Sequence, residues 1–185
     1  IYGVPIEEVA SEMRTRAKAV NFGIIYGQGP FGLARSVGIS QAEAKQFIED
    51  YFKRYKSIRQ FMDETIRQVK NFGYAETILG RRRTITGLES RNHNVRSQAE
   101  RLAINTVIQG SAADLIKMAM IRIHGRIDRE GLPVKMILQI HDELVFEAPK
   151  DEVEKLTGIV RGEMEGVAEL KVPLVVDVSI DDYWS

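Results

Sequence analysis

The chain predicts an α+β fold, mostly helical, with a small antiparallel sheet confined to its second half. Three observations predict it. Apolar residues keep helical spacing over long stretches, as in Phe47, Ile48, Tyr51 and Phe52, then Ile58, Phe61, Met62, Ile66 and Val69. Two short apolar runs, 134–140 and 144–147, flank a polar His141-Asp142-Glu143 turn. Neither an internal repeat nor a linker nor a low-complexity segment interrupts the 185 residues, a length that supports one sizeable core or two subdomains sharing an interface. The change of pattern after Gly73 suggests two parts: helices over 1–73, then a hairpin, a long helix and strands over 74–185.

In order, residues 6–27 read as a short helix running into a longer one. Within R-T-R-A-K-A-V-N-F-G-I-I-Y-G, residues 14–27, Arg14, Lys18, Phe22 and Tyr26 recur every four residues. At roughly 100° per helical residue each lies about 40° from the previous one, so two cations and two rings share one face. Met13, Ala17, Val20 and Ile24 fall on the opposite side and can anchor the helix. Such a face suits a polyphosphate with a base attached: the cations hold phosphate oxygens and a ring stacks on the base. The same spacing also describes a solvated basic face with two partly buried rings.

Gly27-Gln28-Gly29-Pro30-Phe31-Gly32 then breaks the helix. It matches G-x-G-x-x-G, but that fingerprint requires a preceding strand and a following helix in a βαβ unit, and Pro30 sits inside it, so a turn is expected. Ser40 and Glu43 form a capping box ahead of the amphipathic stretch, which breaks near Lys56-Ser57 and ends at Gly73. Residues 74–85 read as a hairpin turning at Gly80-Arg81. A second long helical region covers 92–129, interrupted near Gly110-Ser111. The two apolar strands follow, then a helix over 150–166 and a final strand over 172–180.

Composition is that of an ordinary globular chain, 44% hydrophobic and 28% charged. It has no apolar run long enough for a transmembrane helix, no signal or transit pattern at its start, and no cysteine. Disulfides and the usual zinc sites are thereby excluded, and a cytoplasmic, reducing setting fits. With 26 basic and 26 acidic residues the net charge is zero, which argues against a stand-alone nucleic-acid binder. The distribution is less even. Arg81, Arg82 and Arg83 cluster, with Arg91, Arg96 and Arg101 behind them, while acid gathers toward the C-terminus. The arginine cluster, Arg83 included, can touch phosphates or simply be a charged hairpin tip.

Asp142 is the strongest single candidate. A carboxylate at a tight strand-to-strand turn is costly to bury unpaired but can present oxygens at a sheet rim, where Mg²⁺ binds carboxylates and phosphates. Glu143 is secondary, since neighbours in a turn point different ways; an Asp-Glu pair is also ordinary in hairpin turns. His141 alone reads as a core or rim histidine, with Gln139 two residues before it on the same strand face. Arg101, Asn105 and Gln109 form a polar stripe at four-residue spacing, with Ala103, Ile104 and Val107 mainly across the helix. Long donors so placed can grip minor-groove acceptors, which every base pair offers in nearly equivalent positions. A solvated polar face is the alternative.

The pattern Arg-x-x-x-Lys-x-x-x-Phe-Gly-x-x-Tyr-Gly resembles the fingers helix, motif B, of family A DNA polymerases, the bacterial DNA polymerase I type. Q-I-H-D-E at 139–143 resembles the family's palm motif C. The likeness extends from Gly3-Val4-Pro5 to Asp182-Tyr183-Trp184, nearly the whole chain. It implies fingers over 1–73 and part of a palm over 74–185, with template-directed addition of dNTPs to a primer 3′ end using two Mg²⁺ ions. It assigns Arg14, Lys18, Phe22 and Tyr26 to the nucleotide. Arg83, Arg101, Asn105, Gln109, Gln139 and His141 go to primer-template DNA, and Asp142, with Glu143 beside it, to the metal and the chemistry. In this family a phenylalanine at the place of Phe22 goes with rejection of dideoxynucleotides, and a tyrosine with their acceptance.

One departure stands out. The family's motif A aspartate lies a few tens of residues before motif B, yet only thirteen residues precede Arg14 and none is aspartate. A C-terminal fragment is therefore expected, inactive alone, with the upstream remainder of the polymerase as its partner and self-association through raw strand edges. Two other readings stay open. A single-subunit phage-type RNA polymerase shares the Arg/Lys/Tyr-Gly helix, though its motif C turn typically ends His-Asp-Ser. A non-catalytic nucleic-acid-binding module is the other.

Overall fold

The computed structural model describes residues 4–183; Gly3 and Trp184, which bound the family likeness, lie outside the described residues. Two compact units divide the chain, Ile1–Ile108 and Gln109–Ser185.

In the first unit, a short 3₁₀ turn at Ile6–Glu8 leads into α1 (Ser11–Ile25), α2 (Pro30–Val37), α3 (Gln41–Arg54) and α4 (Lys56–Phe72). The expected capping box starts α3: the Ser40 N–H donates to Glu43 Oε2 (2.9 Å) and the Glu43 N–H to Ser40 Oγ (3.2 Å). The Ser40 hydroxyl and then its backbone N–H, both facing the Glu43 carboxyl, hold that carboxyl below its usual pKa. The helical stretch breaks at Tyr55, beside the expected place. Between 27 and 32 the expected turn is shorter than the sequence suggests. The chain is helical again from Pro30, because proline at the first helical position has the right φ and lacks only an N–H that would go unused.

Two cores form here. Val20, Ile24, Leu33, Ala34, Ala44 and Tyr51 join α1, α2 and α3. Val69, Ala75, Ile85, Leu88, Ala99 and Ala103 join α4, a hairpin of β1 (Tyr74–Glu76) with β2 (Arg82–Thr84), and the start of α5 (His93–Glu130). That second core ties the hairpin to the preceding helices, so compactness divides the chain within α5 rather than at the 73/74 change of pattern.

Helix α5 runs unbroken through Gly110-Ser111, where an interruption was expected. One glycine costs a helix only about 1 kcal/mol. Buried Ile104 before it and Ala119, Ile123 and Ile127 after it outweigh that.

The second unit packs the end of α5 against α6 (Val153–Glu165) and an antiparallel pair, β3 (Lys135–Ile140) with β4 (Glu143–Glu147). Ile123, Ile127, Val134, Leu156 and Val160 form its core, with Met136, Leu144 and Phe146 from the strands. Residues 173–180 carry no regular secondary structure and belong to no ladder among the described residues, contrary to the strand expected over 172–180. Leu174 packs on the core while Val172, Val175 and Ile180 stay exposed. The Val176 N–H donates to the Glu165 carboxylate (3.0 Å) instead of to a neighbouring strand. No helix among the described residues is long and apolar enough to cross a membrane.

Candidate active site and nucleic-acid interface

Helix α1 presents the face its spacing predicts. Val20 and Ile24 are buried and Met13 and Ala17 half-buried, while Arg14, Lys18 and Phe22 are exposed on the other side and Tyr26 is half-buried. The Phe22 and Tyr26 rings stack, 6.1 Å between centroids and 12° between planes. Arg16, off this face, pairs with Glu12 at 2.8 Å. Arg14 and Lys18 have no acidic partner among the described residues, so the two cations are free to meet an anion.

The orientation of α1 rests on a residue the sequence shows only as core. Tyr51 on α3 donates from its hydroxyl to Asn21 Oδ1 at 2.6 Å, and burial pushes its pKa up, so the donor stays protonated. Asn21 precedes Phe22, and the bond pins the helix beside the ring. Neither polar partner announces itself in the sequence, since thirty residues separate them.

At its C-terminal end α1 closes on Gly27, whose φ of 78° favours glycine. Gly27 also admits a neighbour: a Cβ there would lie 2.7 Å from Arg101 Cγ. The stem of Arg101 thus lies on the backbone that ends α1, with its charged head exposed and no acidic partner among the described residues. One turn on, Asn105 Oδ1 is buried and unsatisfied, an acceptor that would cost about 1–3 kcal/mol if it stayed so. Gln109, the first residue of the second unit, is exposed.

The arginine hairpin splits by role. Arg82 donates to Glu76 (2.6 Å) and lies over the Tyr74 ring (4.5 Å), which raises its pKa and commits it to the fold. Arg83 is exposed with no partner among the described residues.

In the second unit, Ile140 pairs with Glu143 and leaves His141 and Asp142 as a two-residue turn. His141 takes φ 55°, unlike every other non-glycine residue described. Asp142 does not share the positive φ, and two-residue hairpin turns with positive φ at the first position alone normally place glycine there. The Gln139 amide donates to the His141 carbonyl (2.6 Å), bracing the turn. Asp142 and Glu143 are both exposed, and Asp142 has no partner among the described residues. No group of three His, Asp or Glu residues able to hold a metal occurs among the described residues. The donors at this rim fit Mg²⁺ all the same: oxygen-only, one or two carboxylates, open to water and phosphates.

Positive φ costs a side-chain-bearing residue roughly 1–2 kcal/mol. His141→Gly should therefore be more stable than His141→Ala by about 1 kcal/mol, the reverse of the order at an ordinary position. Urea unfolding of the two variants measures it, and Ala at least as stable as Gly would refute the strain.

Comparison with known proteins bears on the whole chain. The family model for DNA polymerase family A matches residues 1–185. DNA polymerase I of Caldicellulosiruptor bescii is 46% identical over 184 residues, covering 100% of this chain and 22% of that protein. DNA polymerase I of Bacillus caldotenax is 48% identical, covering 100% and 21%. The chain thus spans about a fifth of the length of these relatives. Among solved structures, the POL domain of Pol1 from M. smegmatis, in complex with DNA primer-template and dNTP, superposes with a TM-score of 0.90 at 44% identity. That match covers 94% of this chain and 30% of the other. With a family model spanning every residue and such relatives along its full length, the chain belongs to DNA polymerase family A.

Proposed function

We propose that these residues are the fingers and C-terminal palm part of a cytoplasmic DNA polymerase I, which adds dNTPs to a primer 3′ end with release of pyrophosphate. The observation that carries this is the α1 face: two unpartnered cations one turn apart, continued by two stacked rings. Arg14 and Lys18 take the triphosphate, Arg14 through paired N–H donors and Lys18 as a point charge. The Phe22 ring packs near the sugar, and Tyr26 extends the ring surface toward the base. Arg101, Asn105 and Gln109 hold the duplex through its minor groove, and Arg83 holds a phosphate. His141 meets the primer terminus, with Gln139 keeping its turn in place. Two Mg²⁺ ions, when bound by Asp142 with phosphates and water, supply the Lewis acidity for attack by the 3′ oxygen and departure of pyrophosphate. Glu143 adds negative charge at the same rim.

Asp142 alone is too few carboxylates for a two-metal centre, and the described residues offer no cluster to complete it. The further carboxylate comes from elsewhere in the polymerase, so the 185 residues alone do not extend primers. Ile137 and Leu138, exposed at 47% and 43% on β3, mark a face for that remainder to cover, or for a second copy when it is absent. The glutamate of His-Asp-Glu and Phe22-Gly23 favour DNA over RNA synthesis.

In the intact polymerase, Lys18→Ala is expected to lower kcat/KM for dNTPs by about 2–4 kcal/mol, roughly 30- to 1000-fold, as loss of one close contact to developing negative charge does elsewhere. Single-turnover incorporation measures it. A change below threefold would remove Lys18, and the α1 face with it, from the nucleotide site.

A further inference from the structure

The junction of α1 and α2 is built around a side chain that nucleotide binding leaves unused. Helix α1 ends in a Schellman turn, with the Gly27 N–H donating to Ile24 O (3.0 Å) and the Gln28 N–H to Gly23 O (2.7 Å). In this motif the residue after the left-handed position folds back over the residue five before it. Here that pair is Gln28 over Gly23, and Gly23 has no side chain to meet it. The Gln28 amide rests on the bare α1 backbone: a methyl group at Gly23 would overlap Gln28 Oε1.

The same side chain touches α2. A Cβ at Gly32 would lie 2.8 Å from Gln28 Cγ and 3.1 Å from Nε2. One glutamine therefore fills the space between two helices, against an exposed backbone on each. Helix α2 is a firm support, since Leu33 and Ala34 are buried among Ala44 and Tyr51 of α3. The amide makes no hydrogen bond among the described residues, so the side chain acts by its volume.

We infer that Gln28 is a positioning residue, a plug between Gly23 and Gly32 that sets the inclination of α1 on α2. It thereby decides where Lys18, Phe22 and Tyr26 stand against the nucleotide, and in this respect the inference rests on the nucleotide face proposed above. Gln28 touches no reacting atom. Displacements of about 1 Å in a catalytic constellation cost up to about 100-fold in rate, so a small tilt of α1 registers in the nucleotide kinetics.

The test is single-nucleotide incorporation by the intact polymerase, with Lys18→Ala as the reference. Gln28→Ala empties the plug, Gly32→Ala crowds it from the α2 side, and Gln28→Met keeps its volume. Expected for Gln28→Ala and Gly32→Ala are a KM for dNTP raised about tenfold, a dideoxy/deoxy ratio shifted at least about threefold, and primer-template Kd within about twofold. Gln28→Met should stay within about twofold of the parent on each measure. Where Gln28→Ala melts below the assay temperature, Gly32→Ala and Gln28→Met decide. KM unchanged in the perturbing variants while Lys18→Ala raises it, or Gln28→Met behaving like Gln28→Ala, overturns the plug and leaves the nucleotide face standing. Lys18→Ala without effect removes the nucleotide face, and the inference with it.

Discussion

Asp142→Asn in the intact polymerase is expected to lower kcat by about 1000-fold or more, with primer-template Kd changed less than about threefold. The substitution keeps the shape of the side chain and removes the charge that would hold a divalent ion. Nothing in the fold needs that charge: Asp142 is exposed at the tip of the β3–β4 turn and has no partner among the described residues. Thermal unfolding should accordingly move by no more than about a degree, as for surface substitutions that touch nothing. The pair of measurements separates chemistry from folding. Retention of more than a few per cent of kcat would show that Asp142 is not a metal ligand, whatever the stability.

Phe22→Tyr is expected to bring dideoxynucleotide and deoxynucleotide incorporation close to parity while leaving normal synthesis nearly unchanged. Phe22 is 51% exposed and stacked on Tyr26, so its ring edge is open to a ligand and the fold can accept one added oxygen without repacking. A phenylalanine offers no hydrogen-bonding group, and a nucleotide lacking its 3′-OH finds no replacement there. A tyrosine hydroxyl supplies one. Sites that rely on a substrate hydroxyl can reject the analogue lacking it by factors of about 10⁴ or more, which is the scale of discrimination a single oxygen can remove. Competition between the two nucleotides in single-turnover incorporation measures the ratio. An unchanged ratio would mean that Phe22 faces away from the sugar, and the placement of the α1 face on the nucleotide would fall with it.

Much of this site is legible along the chain because its parts are local. Arg14, Lys18, Phe22 and Tyr26 share a face through helix geometry alone, and their exposure agrees with that geometry. Ser40 and Glu43 cap α3 as read, three residues apart. Asp142 sits at a turn because two apolar runs bracket it, and those runs are β3 and β4.

The misreadings share a cause. Pro30 and Gly110 read as breaks along the chain, yet α2 starts at the first and α5 passes through the second. Proline is at home in the first helical position, and one glycine costs a helix only about 1 kcal/mol, which burial of Ile104, Ala119 and Ile123 on the same helix overrides. Residues 172–180 alternate as a strand would, but alternation creates no partner, and the described residues provide none.

What the sequence determined by itself is therefore the set of features that depend on residues within a turn or two of each other: helix faces, caps, the two-residue turn, and the family likeness they carry. Tertiary structure alone decided which polar groups remain available. It took Arg82 for Glu76 and Tyr74 and left Arg83 exposed, and it buried Asp114 to 3% exposure while Asp142 stayed in the open. It joined Tyr51 to Asn21, laid the stem of Arg101 on Gly27 and lodged Gln28 between two glycines. The burial and side-chain partners at these positions depend on how the elements pack together, and periodicity along one element carries no record of them.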